Sequence, residues 1–152
     1  MFVRTKRGAD RLVKRLSKQR LHALAMHGNK SQNQRECALA RFAKGDVDTL
    51  VATDVAARGI DVAGISHVIN FDPPADRDGY EHRIGRTGRA GRTGVGVTFV
   101  GAEQARDVGR IAAELDLDSE FAVTALSSPT SHGRRPQQQR QRSRPRSRSG
   151  RR

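Results

Sequence analysis

The residues richest in chemistry lie at 82–89, where His82, Arg83, Arg86 and Arg89 are interleaved with Ile84, Gly85, Thr87 and Gly88. On a helix, residues three apart share a face, so Arg83, Arg86 and Arg89 are expected to form one column of guanidinium groups without acidic partners at helical spacing. Such a column repels itself unless its members share an anion. Guanidinium suits phosphate because its planar fork stays charged and donates parallel hydrogen bonds. The alternative, a solvated basic face, does not account for the interleaved glycines. A second set, Thr53, Asp54, Arg58, Gly59 and Asp61, follows directly on an apolar run. Its small residues let backbone amides approach a ligand, while Thr53 and Asp61 offer a hydroxyl and a carboxylate. The plainer reading of this set is a strand-to-helix loop capped by Asp54. A third set, His27 and Gly28 followed by Gln32 and Arg35 at a helix start, suits a nucleic-acid phosphate, with simple capping as the alternative. His22, His67 and His132 have no companions at metal-ligand spacing and are read as structural or solvent-exposed, so no metal site is expected.

For these sets to meet, the elements before them must end at one edge. Apolar periodicity alternates short β-type runs with amphipathic helical windows, which predicts a parallel sheet with crossover helices, an α/β fold. Phe2 and Val3 read as the end of a strand. Ala9, Leu12, Val13 and Leu16 predict a helix over 8–19, and 21–26 reads as a strand. Ser31 is placed as N-cap and Gly45 as C-cap of a helix through Leu39 and Phe42. Strands are expected at 47–52 and 67–71, a helix at 76–87, a strand at 95–100 and a closing helix at 103–115. Both middle strands run into polar residues, Thr53-Asp54 and Asp72-Pro73-Pro74, where an open parallel sheet places its ligand crevice.

The formal net charge of +13 is unevenly spread. Nine arginines and no acid or lysine fall between Arg134 and Arg152, whereas the first 126 residues carry 20 basic and 16 acidic groups. From Ser127 onward the composition is almost wholly Ser, Pro, Gln, Gly and Arg, which cannot build a core and is expected to be disordered. Positive charge of this kind attracts polyanions, above all nucleic acid, through counterion release; a merely solubilising tail is the alternative. One cysteine, Cys37, excludes an internal disulfide and is read as a small buried apolar residue in a reducing cytosol. No stretch approaches the about 18 apolar residues of a membrane span, and the N-terminus lacks a signal-peptide pattern, so a cytoplasmic location without membrane contact is expected.

Taken in order, Phe2 to Lys6, His27-Gly28 with Gln32 to Arg35, Thr53 to Asp61, and His82 to Arg89 resemble motifs IV, IVa, V and VI of the DEAD-box RNA helicases of superfamily two, over roughly residues 1 to 115. The resemblance implies a RecA-like second domain whose partner, a RecA-like first domain, holds ATP and Mg²⁺, with RNA lying across both. It implies that Arg86 and Arg89 are arginine fingers, that Gly59 and Asp61 approach the nucleotide, and that His82, Arg83, Asp54 and Arg58 couple the interface. Thr5, Gly28, Gln32, Arg35 and Thr53 would contact the RNA backbone, largely irrespective of sequence. No G-x-x-x-x-G-K-[ST] loop and no Asp-Glu-Ala-Asp tetrad occur. By the same resemblance the chain begins inside motif IV, so the sheet is expected to be clipped at its N-terminal side. The expected organisation is a helicase C-terminal domain over 1–126 and a basic tail over 127–152. The expected function is the C-terminal half of an ATP-dependent RNA helicase, inactive alone. The alternatives are a truncated product, a half that meets its partner in trans, or a basic RNA-binding module or remnant without ATPase activity.

Overall fold

The computed structural model describes residues 1–60, 62–89 and 91–117. Asp61, His132, the boundary expected at 126 and the tail expected to be disordered lie outside the described residues.

Helices and strands alternate: α1 (Lys6–Lys18), β1 (Ala23–Met26), α2 (Gln32–Lys44), β2 (Thr49–Ala52), α3 (Asp54–Ala57), β3 (His67–Asn70), α4 (Arg77–Ile84), β4 (Val95–Thr98) and α5 (Ala105–Glu114), the last preceded by a 3₁₀ turn at Ala102–Gln104. β1 pairs with β2 and β3 with β4, both in parallel register. Phe2 joins the two pairs through parallel bridges to Ala52 and Asn70, so the order across the sheet is β1, β2, Phe2, β3, β4. Its amide donates to the Ile69 carbonyl at 2.7 Å, and its carbonyl accepts from Phe71 at 3.0 Å. The end of a strand expected at Phe2-Val3 is therefore the centre of the sheet.

Successive residues of an extended chain point to opposite faces, and Phe2 and Val3 found two separate cores. Phe2 packs with Met26, Leu50, Ala52 and Val68 beneath Ala38, Leu39 and Phe42 of α2 and Ala56 and Ala57 of α3. Val3 and Val51 pack on the other face with Ala9, Leu12, Val13 and Leu16 of α1. Cys37 is exposed, contrary to the burial expected of it. Ala38, Leu39 and Phe42 form the side of α2 that faces the core, and Cys37 falls on the side turned away from it.

Caps decide where the helices begin. α1 starts at Lys6, two residues before the expected Gly8, because Thr5 Oγ1 accepts from the Gly8 amide at 3.0 Å. α2 follows the expected caps: Ser31 and Gln34 form a reciprocal capping box, and Gly45 closes the helix at φ 81°. α4 begins at Arg77 behind Asp76, whose carboxylate accepts from Gly79 at 2.8 Å.

Candidate functional site

Every parallel strand delivers its following residues to the same edge. Val3 leads to Thr5, β1 to His27 and Gly28, β2 to Thr53 and Asp54, and β3 to Asp72. All three sets of chemistry-bearing residues use this edge, together with α4 and the loop behind it.

The expected guanidinium column does not form. α4 ends at Ile84, not Thr87, so Arg86 and Arg89 lie beyond the helix. The buried Thr87 hydroxyl donates to the Ile65 carbonyl, and Gly88 turns into the left-handed region at φ 69°, which carries the chain off the helix axis. Nor does Arg83 lack an acid. It is 4 % exposed and grips Asp54 with two bonds, Nε to Oδ1 at 2.6 Å and Nη2 to Oδ2 at 2.7 Å. Its Nη1 donates to the Asp72 carbonyl at 2.7 Å and to Asn70 Oδ1 at 3.2 Å, and its guanidinium lies 5.1 Å from the centre of the Phe2 ring. Asn70, fully buried, is itself oriented by donating to Thr98 Oγ1 at 3.0 Å. Helical spacing could not reveal this partner, because Asp54 arrives from 29 positions away on another element.

Arg86 is held differently. Its Nε donates to the His82 carbonyl at 3.2 Å and its Nη1 to the Ile60 carbonyl at 2.8 Å, while Nη2 has no partner among the described residues. Asp54, Arg58, Gly59, His82, Arg83 and Arg86 line one open cavity of about 280 Å³ floored by Phe2. Asp54 is neutralised by Arg83, so Arg58 and Arg86 leave the cavity cationic. Gly59 sits at φ 79°, a conformation glycine adopts without penalty. Arg89 is exposed, donates from Nε to the Gly85 carbonyl at 2.7 Å, and does not line this cavity.

The remaining candidates occupy the beginnings of three helices. Thr5 caps α1, Gln32 and Arg35 lie in the first turn of α2, and Thr53 precedes α3 without a side-chain cap bond. Unpaired amides and the helix dipole make such ends receptive to anions. Arg35 ties α2 to α3 through Nη2 to the Ala56 carbonyl at 3.2 Å, and its buried Nε has no partner among the described residues. Gln32 donates to Glu36 at 2.7 Å. Gly28 has no positive φ, and a Cβ there would meet nothing within 4 Å, so the fold itself does not require a glycine. Between these elements, His27 bonds to Asp10 Oδ1 at 3.1 Å. That bond, with Lys30 nearby, holds the Asp10 carboxyl below its ordinary value against the opposing cost of burial.

Sequence reasoning missed Asn70, Thr87 and Asp10. An asparagine inside an apolar strand was the available signal for Asn70; the other two carried none. His22 and His67 are exposed, as expected, and no cluster of three or more His, Cys, Asp or Glu forms among the described residues. No helix among them is long and apolar enough to cross a membrane.

The family of helicase conserved C-terminal domains matches residues 1–91. The chain is 50% identical over 111 residues to the DEAD-box ATP-dependent RNA helicase CshA of Geobacillus kaustophilus, covering 73% of this chain and 23% of that one. It is 42% identical over 121 residues to RhpA of Helicobacter pylori, a DEAD-box ATP-dependent RNA helicase, covering 80% and 25%. It therefore spans about a quarter of the length of these relatives. Among solved structures, the Escherichia coli DEAD-box protein SrmB, bound to regulator of ribonuclease activity A, superposes with a TM-score of 0.72 at 42% identity, over 74% of this chain and 66% of that one. A DEAD-box protein of Methanococcus jannaschii gives 0.71 at 38%, over 76% and 32%.

Proposed function

We propose, since this chain belongs to the DEAD-box RNA helicases and carries their conserved C-terminal domain, that it acts as the second half of an ATP-dependent machine for separating RNA strands and is inactive by itself. The observation that carries this reading is the division of labour between two arginines in one cavity. Each guanidinium nitrogen of Arg83 is engaged within the chain, whereas Arg86 is braced by two carbonyls and its Nη2 has no partner among the described residues. A braced, partly exposed guanidinium is suited to phosphate charge, because little side-chain entropy remains to be lost.

The cavity fits a nucleotide phosphate: it is cationic, and Gly59 brings backbone close without a side chain. Arg86 and Arg89 would act as arginine fingers, and Gly59 with Asp61 would approach the rest of the nucleotide. His82 and Arg58 would face the partner domain. Arg83 would couple through Asp54, because its own guanidinium is buried. ATP, held with Mg²⁺ mainly by a RecA-like first domain in cis or in trans, supplies the phosphoryl group whose transfer drives the cycle. Arginine fingers of this kind contribute about 10³ to 10⁵ in rate, so turnover depends on the two halves closing.

RNA would lie along the helix beginnings, held by Thr5, Gly28, Gln32, Arg35 and Thr53 through its backbone, with little dependence on base sequence. RNA spanning both halves favours the closed state and so links binding to turnover. A cytoplasmic setting fits this assignment.

The test is RNA-stimulated ATP hydrolysis, with and without a separately expressed first domain. Turnover only in the mixture supports the reading. The arginine-rich tail favours a second one, a basic RNA-binding module without ATPase activity. Under that reading RNA binds, the mixture stays inactive, and deleting 133–152 abolishes binding instead of weakening it and flattening its salt dependence.

A further inference from the structure

We propose that Asp10 and His27 are positioning residues for the nucleic-acid face: they clamp the 27–30 turn to α1 and so fix the approach to Gly28 and to the beginning of α2. The proposal rests on the reading of that face as the RNA contact and adds residues that do not themselves touch RNA.

Five interactions converge on this turn. His27, 2 % exposed, bonds through Nε2 to Asp10 Oδ1 at 3.1 Å, and its Nδ1 accepts from the Asn29 amide at 3.3 Å. The Lys30 amide donates to the His27 carbonyl at 2.9 Å, and Lys6 Nζ donates to Asn29 Oδ1 at 3.1 Å. Lys30 Nζ lies 3.6 Å from Asp10 Oδ1. Ser31 then caps α2 directly after the turn.

The bonds define a chemical state. An Nδ1 that accepts from a backbone amide carries no proton, so the proton of a neutral imidazole lies on Nε2 and is donated to the carboxylate. One ring thus joins the turn's backbone to α1, and the acid selects the tautomer that makes this possible. A turn with an exposed glycine at its tip otherwise has little to hold it, since a Cβ at Gly28 would meet nothing within 4 Å. A buried histidine paired with a half-exposed carboxylate is more than packing of the turn requires: an apolar side chain would fill the same space without specifying the direction of the Asn29 amide.

Electrostatics and positioning predict opposite signs, which makes the proposal decidable. Removing the Asp10 carboxylate raises the positive charge of the face and releases Lys30, so by charge alone RNA would bind more tightly. If Asp10 works by holding His27, its loss frees the turn and RNA binds less tightly.

The experiment uses the full chain labelled with ¹⁵N and a ten-nucleotide uridine RNA as the probe. Affinity is read from the amide resonances of Gly28, Asn29 and Gln32, which separates this face from binding by the tail. In the unmodified protein the His27 ring nitrogens should report the neutral Nε2–H tautomer. In Asp10→Ala that preference should be lost and the affinity at these amides should fall about fivefold, the order of one ordinary hydrogen bond. Asp10→Asn, which keeps an acceptor but not the charge, should restore the tautomer and most of the affinity. Equal or tighter binding by Asp10→Ala overturns the proposal. So does a dominant Nδ1–H tautomer in the unmodified protein, which needs no variant to fold. If the RNA moves none of these amides in the unmodified protein, it is the RNA reading that fails, and the positioning role falls with it.

Discussion

The cavity around Arg83 and the face formed by the helix beginnings share one edge of the sheet and are built on opposite plans. In the cavity, long charged side chains cross between elements: Arg83 reaches Asp54, Asn70 and Asp72, and Arg86 reaches Ile60. On the face proposed for RNA the offering is mostly backbone at the starts of α1, α2 and α3, with a bare glycine between. A site wired by side chains concentrates its function and its stability in a few residues. One presented by helix ends spreads the work, so each side chain there should matter less.

The largest expected effect follows from the proposed fingers. With the first domain supplied, Arg86→Ala should lower RNA-stimulated turnover by about 10³ or more, while thermal unfolding moves little. A loss smaller than tenfold would remove Arg86 from the chemistry and collapse the contrast drawn here.

Arg83→Met should instead be read in stability. It leaves Asp54 without its partner and Asn70 and Asp72 without a donor, which should cost about 3 kcal/mol in urea denaturation. The unchanged stability of this variant would mean that the hub contributes nothing net to the fold.

Two glycines sharpen the comparison further. Gly59→Ala forces a side chain into the left-handed region at φ 79° and should cost about 1 kcal/mol. Gly28→Ala, in open space, should leave stability unchanged while weakening RNA binding. Matching unfolding curves for the two would erase the distinction. Smaller still, Thr53→Val should reduce RNA affinity by about threefold, the order of one hydrogen bond, and leave ATP affinity of the reconstituted pair unchanged.

The smallest effect on stability is the pH dependence that Asp10 contributes. Its carboxyl titrates below its ordinary 3.8 when folded, chiefly because His27 donates to it. A depressed folded value stabilises the protein above the unfolded value, and that contribution disappears as the pH falls through the folded one. Comparing the melting temperature with that of Asp10→Asn between pH 6 and pH 3, the unmodified protein should lose its advantage only at the acid end. An advantage that survives protonation of the carboxyl would contradict the pair.

Much of this molecule is local and was legible as such. Ser31 and Gly45 bracket α2 because a hydroxyl and a missing Cβ act on their own neighbours, and the parallel α/β pattern follows from the alternation of β-type and helical periodicity. That residues within 54–59 and 82–86 meet was also visible, since residues that follow parallel strands share an edge. Boundaries fared less well where a residue serves two purposes. Thr5, taken as a ligand contact, also begins α1, and Thr87, expected inside a helix, lies past its end and bonds to Ile65.

What spacing could not contain is who pairs with whom across the fold. Arg83 and Arg86 are three residues apart and chemically identical, yet one is buried in the hub and the other has an Nη2 without a partner among the described residues. That difference arises from Asp54, Asn70, Phe2 and Ile60, which only folding brings near. Residue types set which chemistry was available, because charge and hydrogen-bonding capacity belong to the side chain itself. Its assignment to particular residues was decided in three dimensions, where desolvation and bond geometry depend on neighbours distant in the chain.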